Sequence, residues 1–268
     1  YLFGSTFNKT LYPTRTPNPN ITWEVATMYN IGLDFKFLQN RLSWESDVFY
    51  NKRTNMLIYR NASLPQISGI TLPRENLGEM CNRGFESLIS WQDRAGKVDY
   101  NIALNMTYAK NKLLFWDETP GSPAYQRYEG SQVNTSLYYV ADGVFNTEEE
   151  LNNYPHWPDA RLGDIKFVDI NKDGKIDADD RVRSQKNGEP RFVAGLTLGA
   201  NWNNFDIMML FQGAFGGQTY IWRERAGEAG NFYRDTYVNR WTEENPMIEH
   251  PRTYNRDTEY WVSNNNTY

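Results

Sequence analysis

Residues 169 to 180 read DINKDGKIDADD. Oxygen-bearing side chains recur at alternate positions: Asp169, Asn171 and Asp173, then Asp177 and, at the twelfth place, Asp180. Gly174 stands sixth, where a loop wrapped around a cation turns sharply, and Lys175 at the seventh place can offer its backbone carbonyl. Ile176 follows as an apolar anchor. Hard oxygen donors in this order suit calcium. The twelfth residue is Asp rather than the longer Glu that chelates with both oxygens, so the expected affinity is weak, roughly 10⁻⁴–10⁻³ M. The plainer reading of the same residues is a solvated Asp/Asn/Gly turn, its carboxylate repulsion eased by Lys172 and Lys175.

The flanks decide what kind of loop this is. An EF-hand needs a helix on each side. Here GDIKFV precedes the loop and RVRSQKNGEPRFVAGLTLG follows it, and neither is a helix pattern. The loop also occurs once, whereas a dockerin module carries it twice. Catalytic chemistry finds no comparable constellation. His156 and His250 lie far apart, and no His-Glu-x-x-His, Gly-x-Ser-x-Gly or phosphate-cradling glycine loop is present. Glu148-Glu149-Glu150 and Glu243-Glu244 read as solvated charge. The sequence therefore predicts a protein that is not an enzyme.

The elements that must carry the loop are strands. Ile31, Leu33, Phe35 and Phe37 alternate with Asn30, Gly32, Asp34 and Lys36; after a turn at Leu38-Gln39-Asn40, Leu42, Trp44, Val48 and Tyr50 alternate with polar residues. A second hairpin turns at residues 93–97 and continues through Val98, Tyr100, Ile102, Leu104, Met106 and Tyr108. A third sets Phe192, Ala194, Leu196, Leu198, Ala200 and Trp202 against Phe205, Ile207, Met209, Phe211 and Phe215, across Asn203-Asn204. Strict alternation means strands with one apolar face. The reading is thus all-β and a single domain, with strands near 23–58, 82–110 and 190–215 and loops near 1–22, 59–81, 111–189 and 216–268.

Two features favour lipid over a soluble core. The runs are about ten residues long, enough to cross a bilayer at a tilt. Their apolar faces are uncharged, with aromatics near the ends. The connections are also lopsided, short within each hairpin and long between hairpins, which is the plan of an outer-membrane barrel. No apolar run is long enough for a membrane helix, but mean hydropathy (−0.73) is blind to barrels,. A net charge of −5 gives no reason to expect a nucleic-acid partner,. The lone Cys81 excludes an internal disulfide. The alternative is a secreted, calcium-stabilised β-sandwich that binds carbohydrate.

The residues also resemble a known family. NPNITWE (18–24), NIGLDFKFLQNRLSWESDVFYNKRTNMLI (30–58), NRGFE (82–86), GDIKFVDINKDGKIDADDRV (163–182), PRFVAGLTLGANWNNFDIMMLFQGAFGGQTY (190–220) and RWTEENP (240–246) follow one another as in the SusC/RagA family of TonB-dependent outer-membrane transporters. The resemblance implies the C-terminal part of a transmembrane antiparallel β-barrel of about 22 strands, without its plug and final strands. It further implies the outer membrane of a Bacteroidetes-type Gram-negative cell, with outer-membrane lipid around the barrel. Import would be driven by TonB through the N-terminal part, with a SusD-like surface lipoprotein as lid and glycans or oligopeptides as substrates. Asp34, Lys36, Glu45, Asp47, Asp99, Asn101, Asn105 and Asp206 would face a hydrated lumen. The calcium loop would stiffen the longest surface segment. Loop aromatics such as Trp116, Tyr139, Trp157, Tyr220, Trp222 and Trp241 could stack on substrate, although long loops more often bury such rings.

Overall fold

The computed structural model describes residues 17–60, 72–218, 234, 238–246 and 250–252, with the backbone of two short paired strands, β1 (Leu2–Phe3) and β2 (Thr6–Phe7). Tyr220 and Trp222 lie outside the described residues. The chain divides into two compact units, residues 1–133 with 190–216, and residues 134–189 with 217–268.

The first unit is a sheet of long strands: β3 (Val25–Phe37), β4 (Leu42–Tyr59), β5 (Arg74–Ala95) and β6 (Val98–Phe115). Four short strands of the other unit follow in the chain, β7 (Leu137–Tyr138), β8 (Ala141–Val144), β9 (Ile165–Phe167) and β10 (Val182–Arg183). The sheet then closes its sequence with β11 (Phe192–Trp202) and β12 (Phe205–Phe215). Its spatial order is β12-β11-β6-β5-β4-β3, every neighbour antiparallel. The turns at one end are tight. Gly96 (φ 62°) and Asn203 (φ 51°) supply the left-handed conformations these hairpins need,.

Residues directly opposite share a face, so the register fixes the two sides. Ile31, Val48, Phe85, Tyr108, Phe192 and Phe215 form one rung across all six strands, and Phe35, Trp44, Ile89, Leu104, Leu196 and Phe211 form another. The Phe85 and Tyr108 rings stack at 6.0 Å. This face is not covered: Ile31 is 72% exposed and Ile207 59%. A β-sandwich would bury such a face under a second sheet; among the described residues none packs on it. On the opposite face lie Asp34, Lys36, Glu45, Asp47, Asp99, Asn101, Asn105 and Asp206, as alternation requires. Four of them, Lys36, Glu45, Asp99 and Asn101, border a polar concavity of about 840 Å³ near the short turns, together with Gln92 and Asn201.

The strands run further than the apolar pattern. β5 starts at Arg74, inside the segment read as loop 59–81, and β6 continues to Phe115. Beyond the apolar rungs, charged and amide residues are mixed with apolar ones such as Ile58, Met80 and Leu113 without strict alternation, so the signal that marks a strand fades there. A bulge interrupts β4 between Arg53 and Met56, with Asn55 at φ 58°. Asn76 spans the break: its Nδ2 donates to the Asn55 carbonyl at 2.7 Å and the Thr22 carbonyl at 2.9 Å, while its Oδ1 accepts from the Thr22 N–H at 2.9 Å.

The second unit is built from short pieces. β8 pairs with β9, and β7 with β10. Helix α1 (Glu148–Asn153) is capped by the Thr147 hydroxyl, which accepts from the Glu150 N–H. A small core gathers Ile165, Phe167 and Ile176, with Tyr139, Trp157 and Ala160 packed on it. Trp157 meets Tyr139 edge-on at 5.0 Å. Tyr139 and Trp157 are therefore packing residues of the loop, as is Trp241, which is 8% exposed.

Candidate functional site

The acidic loop folds as a set of interlocked turns. Asp169 accepts from the N–H groups of Lys172 (2.7 Å), Asp173 (3.3 Å) and Gly174 (2.8 Å). Asn171 Oδ1 accepts from the Asp173 N–H at 3.0 Å, and its Nδ2 donates to Asp173 at 3.1 Å. Asp173 in turn accepts from the Lys175 N–H at 2.9 Å. Gly174 takes φ 83°, the sharp sixth-place turn. Asp177 caps a single 3-10 turn, Ala178–Asp180, accepting from the Asp179 N–H at 2.8 Å. Asp180 is fully buried: one oxygen accepts from the Ile170 and Asn171 N–H groups, the other from Asp177. Ile176 docks into the small core, which fixes the loop to the body of the unit.

The six sequence-predicted positions thus share one loop, and backbone N–H groups hold its side chains in place. Among the described residues, no three His, Cys, Asp or Glu side chains converge as metal ligands would. Each ionised carboxylate keeps spare lone pairs beyond the N–H groups it already binds, and the donors are the hard oxygens that calcium takes. In donor chemistry the loop fits calcium; it does not present the ligands as a gathered cluster.

A second constellation sits where the sequence gave no warning. Arg252 pairs with Asp164: Nη2 donates to Oδ2 at 2.9 Å, and Nε lies 2.7 Å from Oδ1 as an ionic contact outside hydrogen-bond geometry. Asp164 is completely buried. Its Oδ2 also accepts from the Arg161 N–H at 3.0 Å, and the Arg252 N–H donates to the Gly163 carbonyl at 2.8 Å. Trp241 lies against Gly163 and donates its indole N–H to Asn146 at 3.0 Å. Residue 163 must be glycine on two counts: φ is 86°, and a Cβ there would sit 2.5 Å from the Trp241 ring. GDIKFV and RWTEENP, separate in sequence, are thereby joined.

Beside this lock, the Asn146 N–H (2.9 Å) and then Lys166 Nζ (3.3 Å) hold the Glu150 carboxyl below the usual carboxylate range. Burial, reinforced by the Asp142 carboxylate at 3.1 Å, pushes the Tyr154 phenol up to about 12. Both groups therefore keep their ordinary charge state at neutral pH.

A sheet with one face free of charge between its aromatic rungs, one polar face and short turns at a single end is a stretch of transmembrane β-barrel wall. The chain belongs to the TonB-dependent receptor-like β-barrel family, whose model matches residues 2–264. It is 28% identical over 255 residues to TonB-dependent receptor P3 of Formosa agariphila, covering 88% of this chain and 25% of that protein. To TonB-dependent receptor SusC of Bacteroides thetaiotaomicron it is 24% identical over 252 residues, covering 89% and 24%. The fold matches a structure of the RagAB peptide transporter with TM-score 0.59 at 20% identity, covering 90% of this chain and 28% of that one. The chain spans about a quarter of the length of these relatives. Membership places the sheet in an outer-membrane barrel, in a family of receptors rather than enzymes.

Proposed function

We propose that this chain forms wall and surface loops of an outer-membrane importer that takes up glycans or oligopeptides, works with a SusD-like surface lipoprotein and draws energy through TonB. The observation that carries the reading is the six-strand ladder with its predominantly apolar, exposed face, interrupted in mid-belt by Ser46 and Ser87, taken with the family match. The relative named TonB-dependent receptor SusC supports a TonB-driven importer, and the likeness to a peptide transporter keeps oligopeptides beside glycans as candidate cargo. The polar concavity and the lumen-facing carboxylates and amides suit a hydrated path for polar cargo. The test is gentle detergent extraction of the native protein from outer membranes, with mass spectrometry of what accompanies it. The expected result is a chain several times this length, bound to a surface lipoprotein and carrying a glycan or peptide. Recovery of the protein without a lipoprotein partner would sink the capped-importer reading.

The Asp169–Asp180 loop is proposed to take calcium through Asp169, Asn171, Asp173, Asp177 and Asp180 and the Lys175 carbonyl. Binding would oppose the mutual repulsion of its carboxylates and stiffen the segment that Ile176 anchors. In the full-length protein, amide exchange across residues 169–180 should slow when calcium is raised from micromolar to about 5 mM, above the roughly 10⁻³ M upper limit expected for such a loop. Asp173→Asn should blunt the response. Exchange indifferent to calcium would rule the site out.

A further inference from the structure

The strand register gathers four cations on the lipid-facing side, just beyond the upper aromatic rung. Tyr50 lies opposite Arg83, and Arg83 opposite Lys110; one step further out, Lys52 lies opposite Cys81, and Cys81 opposite Lys112. All stand on the face of Val48, Phe85 and Tyr108, because side chains two apart on a strand share a side. One carboxylate offsets them: Glu79 pairs with Lys52 at 2.9 Å. Arg83, Lys110 and Lys112 have no hydrogen-bond or ion-pair partner among the described residues. Arg83 and Lys112 are exposed, and Lys110 is half-buried. Like charges directly opposite one another on a sheet destabilise it, and Arg83 and Lys110 are such a pair.

Their position indicates what would relieve them. The tight turns lie at the other end of the strands, so this is the end of the long loops, which in an outer-membrane barrel faces outward. The aromatic rung marks the edge of the hydrocarbon. The next residues on that face therefore stand at the level of the outer-leaflet headgroups. The geometry points to a binding surface for the phosphate-bearing headgroup of an outer-leaflet lipid. The Arg83 guanidinium forks onto phosphate oxygens while Lys110 and Lys112 add point charges. Lys52, held by Glu79, borders the surface. The surface rests on the outer-membrane reading above and adds to it a lipid chemistry and the residues that recognise it.

Full-length protein purified in detergent, titrated with phosphorylated lipid A and with its dephosphorylated form and read by native mass spectrometry, tests it. Arg83→Ala/Lys110→Ala/Lys112→Ala should weaken binding of phosphorylated lipid A on the order of 100-fold. Arg83→Gln alone, a gentler change should the triple variant fail to fold, should weaken it about fivefold. The dephosphorylated lipid should bind wild type weakly, and Lys36→Ala on the opposite face should change nothing. Equal binding by wild type and the charge-removed variants, or indifference to the phosphate, would overturn the lipid site alone. Absence of the protein from isolated outer membranes would overturn both this site and the importer reading.

Discussion

Asp164→Ala should destabilise the second unit by about 3–5 kcal/mol, because it leaves the Arg252 guanidinium buried without its counter-charge. Arg252 Nη2 donates to Oδ2 and Nε stands 2.7 Å from Oδ1, and Asp164 has no exposure to water while the Arg252 side chain keeps 18%, so solvent makes up only a small part of the loss. The damage should be local. In the full-length protein, hydrogen exchange at Gly163, Trp241 and Arg252 should accelerate on the order of a hundredfold or more, while the sheet amides of β5 and β6 hold their protection. Arg252→Met in the Asp164→Ala background should recover part of the stability, since an apolar replacement of a buried ion pair is close to neutral where breaking the pair is not. Unchanged exchange at these three amides would show that the pair does not hold the two segments together.

Leu104→Arg should be the most damaging single change in the sheet. Leu104 sits in the rung with Ile89, Leu196 and Phe211, between the two aromatic edges. A cation there meets the middle of the hydrocarbon and should cost about 2–4 kcal/mol. Its neighbour Asn105 points to the other face, and Asn105→Arg should stay within roughly 0.5 kcal/mol. Denaturant titration of the full-length protein refolded into lipid vesicles separates the two. If both variants unfold at the wild-type midpoint, the face of Leu104 does not meet lipid.

The belt of the sheet was legible because hydrocarbon leaves a strong mark: one face must be apolar over about ten residues, as from Tyr100 to Tyr108. The same cause limited the reading. Residues 74–81 lie beyond the belt, where Glu75, Asn76 and Glu79 carry no alternation, so the pattern predicts a loop where β5 in fact begins. The acidic loop announced itself through ligand spacing, yet spacing could not foretell that Asp180 would turn inward onto three N–H groups. The Asp164–Arg252 lock left no local trace, since its members stand 88 residues apart. The one usable hint was Gly163 beside an acid, and glycine next to Asp also marks ordinary turns.

The length of β5 has a consequence for traffic through such a wall. Of its 22 residues, about ten suffice to cross the hydrocarbon, and the rest, tilted near 45°, rise roughly 25–30 Å above it. Cargo caught at the loop tips would still be outside the cell by the full height of that parapet. If the wall belongs to an importer as proposed, capture and membrane crossing would be separate events in space. Descent past the raised strands would then be a diffusion problem before it becomes a gating one.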